Sequence, residues 1–130
     1  MSSCILDASA VLAVLNEERG HEKAEPYIFG GTMSAINYSE VLKKTVEAGA
    51  SLDKMELILA KQRLQVIPFD REQAVKAAAI WPLAKPHGLS FADRACITLG
   101  LMLDLPVITA DTDMASVEVP LTVTLIRRTH

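Results

Sequence analysis

Four acids, Asp7, Glu40, Asp93 and Asp111, stand where a fold could bring them together. Asp7 closes the apolar run Cys4-Ile5-Leu6, and Asp111 follows Pro106-Val107-Ile108-Thr109-Ala110, so both read as residues just past the end of a strand. Glu40 and Asp93 read as first-turn residues of helices opened by Asn37 and Ser90. In parallel βα units, the carboxyl end of a strand and the first turn of a helix share one sheet edge, where α/β proteins place their ligands. Carboxylates crowded at such an edge repel one another unless a cation neutralises them. A hard, oxygen-seeking ion, Mg²⁺ or Mn²⁺, suits this donor set. One or two such ions can grip a phosphodiester, lower the pKa of a bound water and stabilise charge in an in-line displacement. Ser9, Asn37, Thr109 and Asp113 are candidates for outer ligands or for the shell that orients them.

Each acid also has a purely structural explanation. Asp7 could cap the helix that follows it. Asn37-Tyr38-Ser39-Glu40 and Ser90-Phe91-Ala92-Asp93 both have capping-box spacing. Asp111 and Asp113 could populate a turn. Only convergence distinguishes the two readings, because capping requires none.

The elements that must position these residues alternate. After the short first strand, Val11, Leu12, Val14 and Leu15 form a helical stripe, with Gly20 expected as its stop. A second helix is expected from His21 to Phe29, disturbed by Pro26. Strand two covers Thr32 to Ile36, and a helix opened by Asn37 runs to about Ala48. Ser51 opens a helix with Leu52, Met55, Ile58 and Leu59 inward. Gln65 to Phe69 is a strand placed at an edge by Pro68. Asp70 caps a helix whose Ala74, Val75, Ala78 and Trp81 share a face, ended by Pro82. A buried helix from Ser90, a strand to Thr109, a loop through Asp113, and a last strand from Thr122 to Ile126 complete the chain, which ends in Arg127-Arg128. Strands separated by helices give βαβ units and a mostly parallel sheet covered on both faces. The short, wholly apolar first strand is expected at its centre.

The 130 residues suit one domain, 1–130, and half of them are apolar, which excludes a disordered chain. Net charge is −3, so no strong positive field advertises nucleic acid. Cys4 and Cys96 read as free core thiols in a reducing compartment. His21, His87 and His130 lack zinc-like spacing. No signal peptide or membrane span is evident, and a soluble, cytoplasmic protein is expected.

Four stretches carry a resemblance: Ile5-Leu6-Asp7-Ala8-Ser9-Ala10; Ser34-Ala35-Ile36-Asn37-Tyr38-Ser39-Glu40-Val41; Gly88-Leu89-Ser90-Phe91-Ala92-Asp93-Arg94-Ala95-Cys96; and Pro106-Val107-Ile108-Thr109-Ala110-Asp111. In this order the chain resembles PIN-domain ribonucleases, and among them the VapC-type toxins of bacterial toxin–antitoxin pairs. The resemblance implies a three-layer α/β/α fold with a five-stranded parallel sheet of order 3-2-1-4-5. It implies an acidic quartet of Asp7, Glu40, Asp93 and Asp111, and Mg²⁺- or Mn²⁺-dependent endoribonuclease activity through metal-activated water. It also implies a cognate antitoxin that lies in a groove beside the site, and a homodimer. The chain departs from the family at the fourth stretch, where Met114 replaces a frequent aromatic and Asp113 stands either as an outer ligand or as a turn residue.

Substrate contact would draw on Lys43, Lys44, Lys85, Arg94, Arg127 and Arg128, with Arg94 expected to pair with a carboxylate. Tyr27, Ile28, Phe29 and the helix from Leu52 to Leu59 could line a partner groove, although plain core is the expectation for most of them. Three alternatives remain open at this stage. A haloacid-dehalogenase-like aspartyl-phosphate hydrolase would want an acid two residues after Asp7, where Ser9 stands. A receiver domain would want an adjacent acidic pair after strand one. A catalytically silent PIN-fold binding module is the third.

Overall fold

The computed structural model describes residues 4–127, so Arg128 and His130 lie outside the described residues. Five parallel strands form one sheet: β1 (Ile5–Leu6), β2 (Thr32–Ser34), β3 (Gln65–Ile67), β4 (Val107–Thr109) and β5 (Val123–Leu125), in the order β3-β2-β1-β4-β5. Eight α-helices connect them: α1 (Ala8–Leu15), α2 (His21–Ile28), α3 (Ala35–Glu47), α4 (Leu52–Lys61), α5 (Arg71–Ala79), α6 (Trp81–Ala84), α7 (Phe91–Leu103) and α8 (Thr112–Ser116). The expected architecture and strand order are therefore observed, with β1 central and β3 at an edge.

Strand alternation divides the core. Leu6, Met33 and Ile108 face a cluster with Ala10, Val11, Ile28, Val41 and Leu59 from α1 to α4. Ile5 and Val107 face the opposite side, against Cys96, Ile97 and Leu99 of α7 and Met114 of α8. A one-residue shift in β1 would exchange these faces, and its register is pinned by Ile5 opposite Val107 and Leu6 opposite Ile108. The chain builds outward from β1 through β2 to β3, then restarts beside β1 with β4. The sheet's topological switch point thus lies between β1 and β4, where Asp7 N donates to Ile108 O at 3.0 Å.

Several boundaries differ from expectation. α1 stops at Asn16, and Gly20, at φ +91°, instead starts α2; an added Cβ there would lie 2.6 Å from Ile126 O. Pro26 sits within α2, which ends at Ile28. β2 stops at Ser34, whose hydroxyl caps α3 by accepting from Ile36 N at 3.2 Å, so that helix opens three residues before Asn37. On α4 only Leu59 is buried, while Leu52 and Ile58 are exposed. On α5 the buried face carries Gln73 and Ala77; Ala74, Val75 and Ala78 face outward, and Trp81 is exposed too. That helix breaks at Ile80, and Pro82 belongs to α6. Residues after Asp111 form α8 rather than a loop.

Candidate active site

Asp7 immediately follows β1 and is buried, at 4% exposure. It precedes α1 yet makes no side-chain cap bond, so the capping explanation fails. Its Oδ2 instead accepts from Ser9 Oγ at 2.5 Å and from Thr109 Oγ1 at 2.8 Å. Both hydroxyls are oriented by the main chain of the β4 end. Ala110 N donates to Ser9 Oγ at 2.9 Å, and Asp111 N donates to Thr109 Oγ1 at 3.0 Å. Each hydroxyl that accepts from an amide still has one proton to give, and Asp7 receives both. Burial pushes the Asp7 carboxyl from its ordinary 3.8 up to about 6; the two hydroxyls oppose the rise, and Asp93 and Glu40 add to it.

Glu40 lies six residues into α3 rather than in its first turn, so its capping explanation fails as well. Its Oε1 accepts from Asn37 Nδ2 at 3.2 Å. Burial, and then the charge on Asp93, raise its pKa against the lowering effect of Asn37. Asn37 is not the cap of its helix. It is fully buried, and the same Nδ2 donates to Ala92 O of α7 at 3.1 Å.

Asp93 keeps its structural role. Its Oδ2 accepts from Ser90 N at 2.9 Å while Ser90 Oγ accepts from Asp93 N at 3.2 Å, a complete capping box. Burial raises its pKa, and Asp111 and Asp113 raise it further. Asp111 caps α8 through Oδ1, which accepts from Asp113 N at 2.9 Å. Asp113 itself is exposed.

The end of β1, the second turn of α3, the first turn of α7 and the cap of α8 thus bring four acids into a common field: Asp7 feels Glu40 and Asp93, Glu40 feels Asp93, and Asp93 feels Asp111 and Asp113. Among the described residues, the hydrogen bonds engage one oxygen of each acid: Oδ2 of Asp7, Oε1 of Glu40, Oδ2 of Asp93 and Oδ1 of Asp111. Among the described residues no three His, Cys, Asp or Glu side chains already stand at chelating distance, so the acids share a field without forming a closed cage. Hard carboxylate oxygens remain the right donors for Mg²⁺ or Mn²⁺, and mutual repulsion separates such groups when no cation is between them.

Sequence reasoning missed the Asn37–Ala92 link, which joins residues 55 positions apart and leaves no local pattern. Cys96 is the free core thiol expected from the sequence, and burial, then the charges of Asp7, Asp93 and Glu40, push its pKa well above the ordinary thiol value. Arg94 is structural, as expected, but its partner is not a carboxylate. Its Nη1 donates to Ala77 O at 2.8 Å, and its guanidinium lies 5.7 Å from the Phe91 ring centroid.

A parallel α/β sheet with acids gathered at its switch point, between the carboxyl ends of β1 and β4, is the arrangement at which α/β proteins commonly place their ligands. The model of the PIN domain family matches residues 4–120, and the chain belongs to that family. No curated protein matches the sequence. Similar solved structures include a chain of a toxin–antitoxin complex from Klebsiella pneumoniae, at 16% identity and TM-score 0.78, covering 98% of this chain and 100% of that one. A chain of DNA-bound VapBC from Salmonella typhimurium is 14% identical with TM-score 0.70, covering 98% of this chain and 100% of its own. A chain of FitAcB from Neisseria gonorrhoeae is 25% identical with TM-score 0.64, covering 95% of this chain and 97% of that one.

Proposed function

We propose that this protein is a metal-dependent endoribonuclease and the toxin of a VapBC-type pair, with Asp7, Glu40, Asp93 and Asp111 holding Mg²⁺ or Mn²⁺. The observation that carries the reading is that Asp7, Glu40 and Asp93, far apart in a PIN-family chain, lie near enough for burial and then one another's charge to raise their carboxyl pKa values, with Asp111 acting on Asp93. One oxygen of each carboxylate is fixed by the protein, which leaves the other to a cation. The ion supplies charge neutralisation and Lewis acidity for hydrolysis of an RNA phosphodiester by water. The chain's own contribution is preorganisation: Ser9 and Thr109 fix Asp7, Asn37 fixes Glu40, and the capping bonds fix Asp93 and Asp111. Exposed Asp113 adds negative charge at the rim. Aspartyl-phosphate chemistry fits less well, because Ser9 stands two residues after Asp7, where a second acid would be wanted, and its hydroxyl is bound to Asp7.

The antitoxin reading is supported by an apolar groove of about 310 Å³ walled by Val11, Val14, Leu15, Ile28, Ile58 and Leu59. Beside it Phe29 and Leu57 are 65% and 64% exposed, contrary to the expectation that this stretch is mostly core. For the homodimer reading, Val75 of α5, Trp81 and Leu83 of α6 and Phe91 of α7 are exposed apolar side chains that a second copy could cover. No helix among the described residues is long and apolar enough to cross a membrane, which accords with a proposed cytoplasmic location.

The deciding assay incubates pure protein with structured RNA in Mg²⁺, Mn²⁺ or EDTA. Cleavage should require the divalent ion and disappear in Asp7→Asn and Asp93→Asn. Cleavage by either variant at the wild-type rate, or undiminished in EDTA, rejects the mechanism. Absence of cleavage in any metal, by protein that still binds a partner, points to the silent module.

A further inference from the structure

Asn37 is the residue whose placement the local sequence explains least. It lies inside the first turn of α3, where an asparagine is a poorer helix former than alanine by several tenths of a kcal/mol. Ser34 already caps that helix. The side chain is nonetheless fully buried, at 0% exposure, and among the described residues its Oδ1 has no hydrogen-bond partner. Leaving a buried acceptor unsatisfied costs about 1–3 kcal/mol, so the amide is not arranged for its own satisfaction.

Its orientation is settled by chemistry. Nδ2 faces the Glu40 Oε1 atom at 3.2 Å and the Ala92 carbonyl at 3.1 Å, and both are acceptors. A flipped amide would set an oxygen against two oxygens. Both amide protons are therefore spent, one within α3 and one across to α7. Ala92 immediately precedes Asp93, whose own carboxylate is fixed by the Ser90 capping box. One planar amide thus spans from the Glu40 carboxylate to the main chain that carries Asp93.

We infer that Asn37 is a positioning residue, a brace that ties Glu40 to the first turn of α7 so that a shared cation can draw Glu40 and Asp93 in together. The inference rests on the proposed metal site. It goes further in making two of its acids one mechanical unit rather than independent ligands. Glu40 has three rotatable side-chain bonds, and without the brace its free oxygen samples positions away from Asp93. Removing Asn37 therefore frees the Glu40 carboxylate and unties it from the α7 turn, and both effects matter to the cation only while Glu40 is a ligand.

The test is calorimetric titration of the full chain with Mn²⁺ in the absence of RNA, for wild type, Asn37→Ala, Glu40→Gln and the double variant, with melting in EDTA alongside. Asn37→Ala should bind Mn²⁺ about tenfold more weakly, the usual scale for losing a partner of a metal ligand. In the Glu40→Gln background the same substitution should weaken binding by less than about twofold, since coupled residues are not additive. Should Asn37→Ala fail to melt cooperatively, Asn37→Leu, closer in volume, takes its place. A folded Asn37 variant with wild-type Mn²⁺ affinity overturns the inference, as does a double variant whose losses simply add. If Glu40→Gln weakens binding and Asn37→Ala does not, the brace alone is wrong. A wild-type chain that binds no Mn²⁺ removes the metal site and the brace with it.

Discussion

At the scale of single residues, Asp7 sets the terms on which the site exists. Its carboxyl titrates at about 6 in the folded chain against an ordinary 3.8, because burial penalises the anion more than Ser9 and Thr109 relieve it. A folded pKa above the unfolded one means that the native state binds the proton more tightly. This contribution is fully present below about pH 3.8, declines as pH rises, and is lost above about 6. The metal-free protein at pH 7 therefore carries a strained anion worth up to about 3 kcal/mol. Asp7→Asn keeps the oxygen that accepts from the two hydroxyls and removes the charge. Its melting temperature in EDTA at pH 7 should exceed wild type's, while the advantage narrows towards pH 4 and cleavage is abolished. Millimolar Mn²⁺ should raise the melting temperature of wild type and leave the variant nearly unmoved. Equal melting of the two proteins in EDTA across this pH range would contradict the assigned cost.

At the scale of elements, the strands were legible because buried parallel strands are short apolar runs that punctuation residues separate, whereas their full order came from the resemblance to the PIN family. The β1 and β4 ends, and with them Asp7 and Asp111, followed directly. Helix starts and faces were less legible. Ser34 and Asn37 are both good caps, and the choice between them depended on where β2 pairs with β1 and β3, a long-range fact. On α5 the apolar stripe of Ala74, Val75 and Ala78 faces outward, while the polar Gln73 is buried because its Nε2 donates to Pro68 O at 3.0 Å. Convergence of the acids could be inferred from their addresses, but the hydroxyls' proton bookkeeping and the Asn37 brace need coordinates. Packing between elements also exposes a position that sequence passes over. A Cβ on Gly31 would lie 2.5 Å from Leu6 Cδ1 and 2.8 Å from the Tyr27 carbonyl. The leucine can turn aside; the carbonyl cannot. Gly31→Ala should destabilise the fold by about 1–3 kcal/mol, read as a lower urea midpoint at unchanged slope. An unaltered midpoint would mean that the α2–β2 connection is looser than it stands here.

At the scale of the whole molecule, the question is how a chain of net charge −3 retains a polyanion. The cations that sequence offered are largely committed. Lys43 and Lys44 lie 3.6 and 3.8 Å from Glu47, and Arg127 lies 3.0 Å from Glu18. Arg94 is bound to the Ala77 carbonyl, and Lys85 lies 5.0 Å from the Trp81 ring centroid. Exposed pairs of this kind contribute little to stability, yet each leaves its cation half-neutralised towards a phosphate. Attraction for RNA then falls mainly to the divalent ion at the β1–β4 edge, through contacts that monovalent salt screens weakly at short range. A protein that neutralises several phosphates with its own lysines and arginines loses affinity steeply with salt, with a log–log slope near −0.7 per phosphate on a single strand. Here the slope of RNA affinity against KCl, measured at fixed Mg²⁺ with the non-cleaving Asp93→Asn variant and with wild type in Ca²⁺, should be shallower than about −2. Titrating the divalent ion at constant ionic strength should move wild-type affinity far more than that. A slope of about −4 or steeper, insensitive to the divalent ion, would assign RNA retention to a basic surface and not to the acidic edge.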